Sequence, residues 1–241
     1  MHVLMMFWAS IPQLKTLRDG LWTGFQTVGV VKCRKAKEIQ PPMKKINEIF
    51  LSIQGEGCHT GVPSVFVRFS GCNLKCDFCD TNHQSGVEMD DDRIIDEIKK
   101  YDAPLIVLTG GEPSLFIDEE FIAVIKRETG KKIAIETNGT RPLPQGIDWV
   151  TVSPKEGPDI NGDGTLRVSK ADELKVIDRG QPLEKYFHLE CVTPETVMCL
   201  QPCSVADPAE NEVNLSSTIE RVLKDPRWRL SLQTHKFIGI R

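Results

Sequence analysis

From Ile46 onward the chain alternates between two rhythms of apolar and polar positions. Short apolar runs rich in β-branched residues at 65–69, 105–108, 133–135, 149–152 and 174–177 have the length and composition of buried strands. The stretches 93–101 and 119–128 instead place their apolar residues at helical spacing. Strands separated by helical segments predict β/α units around a mostly parallel sheet, an α/β fold. Reactive groups in such folds collect at the C-terminal ends of the strands. The glycine-rich and polar motifs fall there: Thr109-Gly110-Gly111-Glu112-Pro113, Glu136-Thr137-Asn138-Gly139 and Ser153-Pro154-Lys155. No internal repeat or low-complexity tract interrupts the pattern.

The first 42 residues follow neither rhythm. They carry Lys15, Arg18, Lys32, Arg34, Lys35 and Lys37 against Asp19 and Glu38, and end in Gln40-Pro41-Pro42, a linker-like step before Met43. Residues 1–42 therefore read as a poorly ordered extension or a mis-called start, with an amphipathic partner-binding helix as the alternative, and residues 43–241 as the folded domain. With 241 residues, 40% hydrophobic and 27% charged, the chain can bury a real core and lies far from disordered compositions. A formal net charge of -4 and a pI near 5.8 give no general pull toward phosphate backbones, so nucleic acid is not an expected partner. The apolar stretch 3–9 falls well short of the roughly 20 residues that span a bilayer, and it lacks a basic leader and cleavage site. The expectation is a cytoplasmic protein without membrane contact.

Eight cysteines in such a chain argue for metal or redox chemistry rather than disulfides. Cys72, Cys76 and Cys79 stand at offsets of four and three residues just after the strand at 65–69. A loop of this length can wrap one small inorganic object, and thiolates suit iron–sulfur clusters or zinc. A 4Fe-4S cube wants four ligands, so three cysteines leave one iron open. The competing reading is a structural zinc knuckle completed by His83 or a remote cysteine. Cys33, Cys58, Cys191, Cys199 and Cys203 read as small buried hydrophobes, although a second metal site built from the last three is conceivable. Asp159-Ile160-Asn161-Gly162-Asp163-Gly164 looks like the start of a calcium loop, but position twelve is Lys170 instead of Glu, so the segment reads as a tight turn.

The full Cys-x-x-x-Cys-x-x-Cys, with Phe78 before its last cysteine, resembles the defining motif of the radical S-adenosylmethionine (SAM) superfamily. The resemblance implies a partial, shortened radical SAM β/α barrel in which Cys72, Cys76 and Cys79 hold a 4Fe-4S cluster and SAM chelates the fourth iron. Gly110-Gly111-Glu112-Pro113 resembles the segment that meets the SAM amino group; glycines allow close backbone approach and a carboxylate pairs with an ammonium. By the same resemblance Gly111, Glu112, Glu136, Asn138, Ser153, Pro154, Lys155, Gln201 and Pro202 are expected to contact SAM.

Within the superfamily, residues 43–241 are similar to the 7-carboxy-7-deazaguanine synthase family of queuosine and deazapurine biosynthesis. The similarity rests on Glu48-Ile49-Phe50, Ile53-Gln54-Gly55-Glu56-Gly57, Phe66-Val67-Arg68-Phe69, Asp80-Thr81 after the cysteines, and the closing Trp228-Arg229-Leu230-Ser231-Leu232-Gln233-Thr234-His235-Lys236. It implies a carbon–nitrogen lyase that contracts 6-carboxy-5,6,7,8-tetrahydropterin to 7-carboxy-7-deazaguanine with loss of ammonia. It also implies a magnesium ion touched by Thr81, and a pterin site formed by Ile53, Gln54, Gly55, Glu56, Arg68, Thr109, His235 and Arg241. Arg68 is the fork expected on the substrate carboxylate. A reducing partner such as flavodoxin or ferredoxin and a homodimer follow by the same resemblance. The alternatives are a radical SAM enzyme that activates a protein partner, which has no evident use for Gln54-Gly55-Glu56 and Gln233-Thr234-His235, and a colourless zinc-stabilised binding module.

Overall fold

The computed structural model describes residues 43–76, 79, 85–156, 160, 161 and 163–241, all within the unit Gln40–Arg241. The extension 1–42 with Cys33, Thr81, where a magnesium contact is expected, His83, and Asp159 and Gly162 of the calcium-like turn lie outside the described residues.

The elements in chain order are β1 (Lys44–Ile53), β2 (Pro63–Phe69), β3 (Lys75–Cys76), β4 (Val87–Met89), α1 (Asp91–Lys99), β5 (Leu105–Gly110), α2 (Glu119–Thr129) and β6 (Lys132–Thr137). They continue with β7 (Trp149–Val152), β8 (Ile160–Asn161), β9 (Glu173–Asp178), β10 (Val197–Pro202), α3 (Pro208–Lys224), β11 (Trp228–Leu230) and α4 (Thr234–Ile238). Nine strands form one sheet in the order β11-β10-β9-β7-β6-β5-β2-β1-β4, while β3 and β8 make a separate antiparallel pair. From β2 to β11 every neighbouring pair is parallel; β1 runs antiparallel to both β2 and β4.

Period-two alternation sorts the strand residues onto two faces. One face sends Val65, Val67, Phe69, Ile106, Leu108, Ile133 and Ile135 against Ile94, Ile95 and Ile98 of α1 and Phe121, Ile122 and Ile125 of α2. A second apolar layer joins Leu174, Val176, Met198, Leu200, Tyr186 and Trp228. The opposite face carries a smaller cluster of Phe50, Phe66, Leu105, Val107 and Ala134, and beyond it toward the strand ends come polar residues. Each of the two central helices starts on an aspartate that accepts from a backbone amide: Asp90 from Arg93 and Asp118 from Phe121. Gly130 closes α2 in the left-handed conformation at φ 65°.

The sheet is curled. In a flat sheet β1 and β9, five positions apart, would stand about 24 Å from one another. Instead the loop after β1 reaches β9, where Lys175 Nζ lies 2.5 Å from Glu56 Oε2 and the Cys58 amide donates to Glu173 Oε2 at 2.9 Å. This is the partial, open barrel expected, with two departures. No helix joins β6 to β7, because Pro142, Pro144 and Gly146 punctuate the connection. The other departure is a 17-residue helix, α3, together with long strands at β1 and β10 that the apolar pattern had not marked. No helix among the described residues is long and apolar enough to cross a membrane.

Candidate active site

The concave face opens into a cavity of about 530 Å³ at the C-terminal ends of the parallel strands. Cys72, Cys76 and Cys79 line one side of it, none of them in a disulfide. The Leu74 amide points at Cys72 Sγ at 3.4 Å, and the Cys79 amide bonds the Cys76 carbonyl at 3.2 Å, so the loop folds back on itself. Burial, and to a smaller extent the negative charge of Glu112, raises the Cys72 thiol above its ordinary range. The donor set fits a cluster held on three sides: soft thiols facing a common cavity, with a protein amide already directed at one sulfur.

The glycines of Thr109-Gly110-Gly111 approach protein more closely than any ligand requires. A Cβ on Gly111 would lie 2.0 Å from the Gly71 carbonyl oxygen, and one on Gly110, at φ 111°, would lie 2.4 Å from that of Phe69. The Gly111 amide donates to Phe69 O and the Glu112 amide to Gly71 O, each at 2.9 Å. These contacts seat the strand that ends in the motif directly under the cysteine loop. Glu112 is fully buried and does not line the cavity. Its carboxylate accepts from Ser114 N, Thr137 Oγ1 and Asn138 N, at 3.1, 2.7 and 2.7 Å. These bonds use its oxygens to anchor the end of β6. Pro154 also stays off the cavity wall, whereas Gly111, Asn138, Ser153, Lys155, Gln201 and Pro202 reach it. Lys155 donates to Ser153 Oγ at 2.6 Å, and burial, then repulsion from Lys175, lowers its pKa.

The other half of the cavity gathers Ile53, Gln54, Gly55, Glu56, Arg68, Thr109, His235 and Arg241, as the sequence suggests. Its floor is the stacked pair Phe50 and Phe66, with centroids 5.2 Å apart. Arg68 and Arg241 both lie over Phe50, and both pair with Glu48, the Arg68 contact being 3.2 Å. Gly55 lies so close to His235 that a Cβ there would meet Nδ1 at 2.3 Å, and Thr234 bonds the Gly55 carbonyl through both its amide and its hydroxyl.

Lys175 is the residue that reading the motifs missed. It sits in the interior of β9 between Leu174 and Val176, with a side chain only 5% exposed. It joins Glu56 to Glu136 Oε2, 3.1 Å away. Glu136 in turn accepts from Gln54 Nε2 at 2.9 Å, and Gln233 Nε2 donates to Glu56 Oε1 at 2.8 Å. Glu136, expected near SAM, is thus bonded to Gln54 and Lys175 in the cavity wall. Burial would raise the Glu56 carboxyl, but Lys175 and the Gln233 hydrogen bond outweigh it and hold the pKa at about 2. Burial would likewise lower Lys175, yet Glu136 and Glu56 keep it firmly charged. The available signal was a lone lysine inside an apolar strand, since a buried charge is retained only where it is paired.

The remaining cysteines divide. Cys191 packs in the second apolar layer and Cys203 lines the cavity. Cys58 and Cys199 instead flank Glu173; burial, then that carboxylate, pushes the Cys58 thiol up to about 11 and raises Cys199 further.

Fold and site together define an α/β protein that offers three thiols and a large ligand cavity at the strand ends of an incomplete barrel. The model of the Radical SAM superfamily matches residues 66–189. The 7-carboxy-7-deazaguanine synthase of Bacteroides thetaiotaomicron is 53% identical over 199 residues, 83% of this chain and all of that protein. The protein of the same name from Bradyrhizobium diazoefficiens is 36% identical, over 81% of this chain and 98% of its own. The crystal structure of QueE from Escherichia coli superimposes with a TM-score of 0.61 at 26% identity, covering 79% of this chain and 93% of that one. The chain belongs to the 7-carboxy-7-deazaguanine synthase family of radical SAM enzymes.

Proposed function

We propose that the chain contracts 6-carboxy-5,6,7,8-tetrahydropterin to 7-carboxy-7-deazaguanine with loss of ammonia, using a 4Fe-4S cluster, SAM and magnesium. The observation that carries this reading is the convergence of the three cysteines and the Gln54–Glu56 loop on one cavity, with that loop held in place by Glu136 and Lys175. Cys72, Cys76 and Cys79 would hold the cluster; once bound and reduced, it supplies the electron that cleaves SAM. Gly111, Asn138, Ser153, Lys155, Gln201 and Pro202 line the same cavity. Lys155 offers an ammonium there for the SAM carboxylate. Glu112 and Pro154 support the site by shaping the backbone around it. Thr81 retains its proposed magnesium role from the motif alone.

On the substrate side, Phe50 and Phe66 provide an aromatic surface for a flat ring. Arg68 and Arg241 are two forks at its edge, and a substrate carboxylate would replace their shared partner Glu48. Gln54 and Glu56 read the aminopyrimidinone edge. Because Lys175 keeps Glu56 ionised, this carboxylate only accepts hydrogen bonds, which matches the N–H donors of that edge. Thr109 and His235 close the same space.

We further infer a homodimer, a flavodoxin or ferredoxin as reductant, and residues 43–241 as the catalytic unit. Exposed Val213 and Leu223 on α3, 66% and 79% accessible, support self-association, and the full-length match to a 199-residue relative supports the boundary. The decisive test is an anaerobic assay of reconstituted protein with reductant, SAM, magnesium and the carboxytetrahydropterin, with the deazaguanine followed by mass. Product at substoichiometric SAM is the expected result. Deoxyadenosine without deazaguanine would remove the substrate and keep the radical chemistry; neither product from protein with an intact cluster would remove both.

A further inference from the structure

Behind the cavity, on the far side of Lys175, lies a group that the proposed reaction does not use. Cys58 on the β1–β2 loop, Glu173 at the start of β9 and Cys199 in β10 each direct one potential ligand atom into the same space, all within 4.8 Å of one another. Glu173 is 1% exposed, and its Oε1 is buried with no hydrogen-bond partner at normal geometry, the Cys58 and Cys199 thiols being side chains that act on this carboxylate. A buried carboxylate oxygen left unpaired is costly, so a native structure that retains one calls for an explanation. Its other oxygen is held by the Cys58 amide at 2.9 Å, which fixes the direction in which Oε1 points. The loop can come this close only because residue 57 is glycine at φ 62°; a Cβ there would sit 2.1 Å from Glu173 Oε1.

We propose that Cys58, Glu173 and Cys199 form a binding site for a thiophilic divalent cation of the zinc type, separate from the cluster loop. Two thiolates and one carboxylate are a soft to borderline donor set, unlike the all-oxygen set that magnesium takes. Tetrahedral zinc with Zn–S of about 2.3 Å and Zn–O of about 2.0–2.2 Å holds its ligand atoms roughly 3.5–4 Å apart, so small side-chain rotations close this site. Arg229 lies near enough to act on the Cys58 charge, and Lys175 on that of Glu173, which offsets the excess negative charge of the ligands. A cation here would tie the loop that carries Gln54, Gly55 and Glu56 to the wall formed by β9 and β10. Three protein ligands leave a fourth position for water.

The test uses the anaerobically reconstituted holoenzyme, dialysed against zinc and then freed of loose metal. The expected result is stoichiometric zinc in addition to the cluster iron, with zinc-edge X-ray absorption showing two sulfur neighbours and light oxygen or nitrogen neighbours. C58S and C199A should each lower the retained zinc at least tenfold while iron and sulfide content stay unchanged. Glu173→Gln, whose amide can accept but carries no charge, should weaken zinc retention while keeping the far-ultraviolet circular dichroism. Three sulfur neighbours would place the zinc on Cys72, Cys76 and Cys79 and overturn the proposal. So would zinc content that is the same in wild type, C58S and C199A, or holoenzyme that retains no zinc. None of these readouts depends on turnover, so the site can fail while the proposed reaction stands, and the reverse.

Discussion

Lys175 governs the chemistry of the substrate half of the cavity through two carboxylates at once. Replacing it by Met would leave Glu56 and Glu136 facing each other without a counter-charge, and removing one partner of a buried ion pair costs about 3–5 kcal/mol. K175M is expected to lose stability of about that size in denaturant unfolding of the apoprotein; an unchanged midpoint would show that the carboxylates do not depend on it. The same pairing sets an acid limit. The folded-state pKa of Glu56 is depressed from its usual 4.5 to about 2, so its contribution to stability is complete above about pH 4.5. That contribution is lost as pH falls from there toward 2. Unfolding free energy measured across this window should therefore drop with acid in wild type, and Glu56→Gln should flatten the slope. Equal slopes in the two proteins would remove Glu56 from the account.

At the scale of elements, the cysteine loop depends on the strand end beneath it. A methyl group on Gly111 would force apart the β5 end and Gly71, the residue before Cys72. Gly111→Ala is thus expected to cut reconstituted iron per chain several-fold while the circular dichroism of the α/β fold persists; full iron content would show that the loop adapts. The strands and helices that carry this seat were legible in the sequence because their apolar residues recur at clean periods, as in 105–108 and 119–128. Helix α3 was not. Leu215, Ile219 and Val222 do recur there at helical spacing, but they stay half-buried or exposed, and the only fully buried residue is the polar Thr218, which donates to Asp178 at 3.0 Å beside the Arg221–Asp178 pair. Its start was nonetheless written in Asp207-Pro208, an N-cap followed by proline at the first helical position. Most of the cavity wall could be read from motifs because those residues end strands. The inward orientation of Glu112, the Lys175 network and the Cys58–Glu173–Cys199 group could not, since each depends on which strands the curl brings face to face.

At the scale of the whole molecule, the last residues reach back to β1: Ser52 Oγ donates to the Arg241 carbonyl at 2.5 Å and Arg241 pairs with Glu48. A chain lacking residues 1–42 should retain turnover within about two-fold, whereas removal of 234–241, which strips His235 and Arg241 from the cavity, should abolish it. Loss of activity in the first deletion, measured in the same product assay, would move the catalytic boundary into the extension. The linear strand order has one more consequence. Among the described residues the sheet does not close and leaves two borders, one along β4 and one along β11, and such borders are where β-proteins polymerise edge to edge. Each of these strands is three residues long, too short to template a neighbour. Fibre growth is thereby discouraged at both borders.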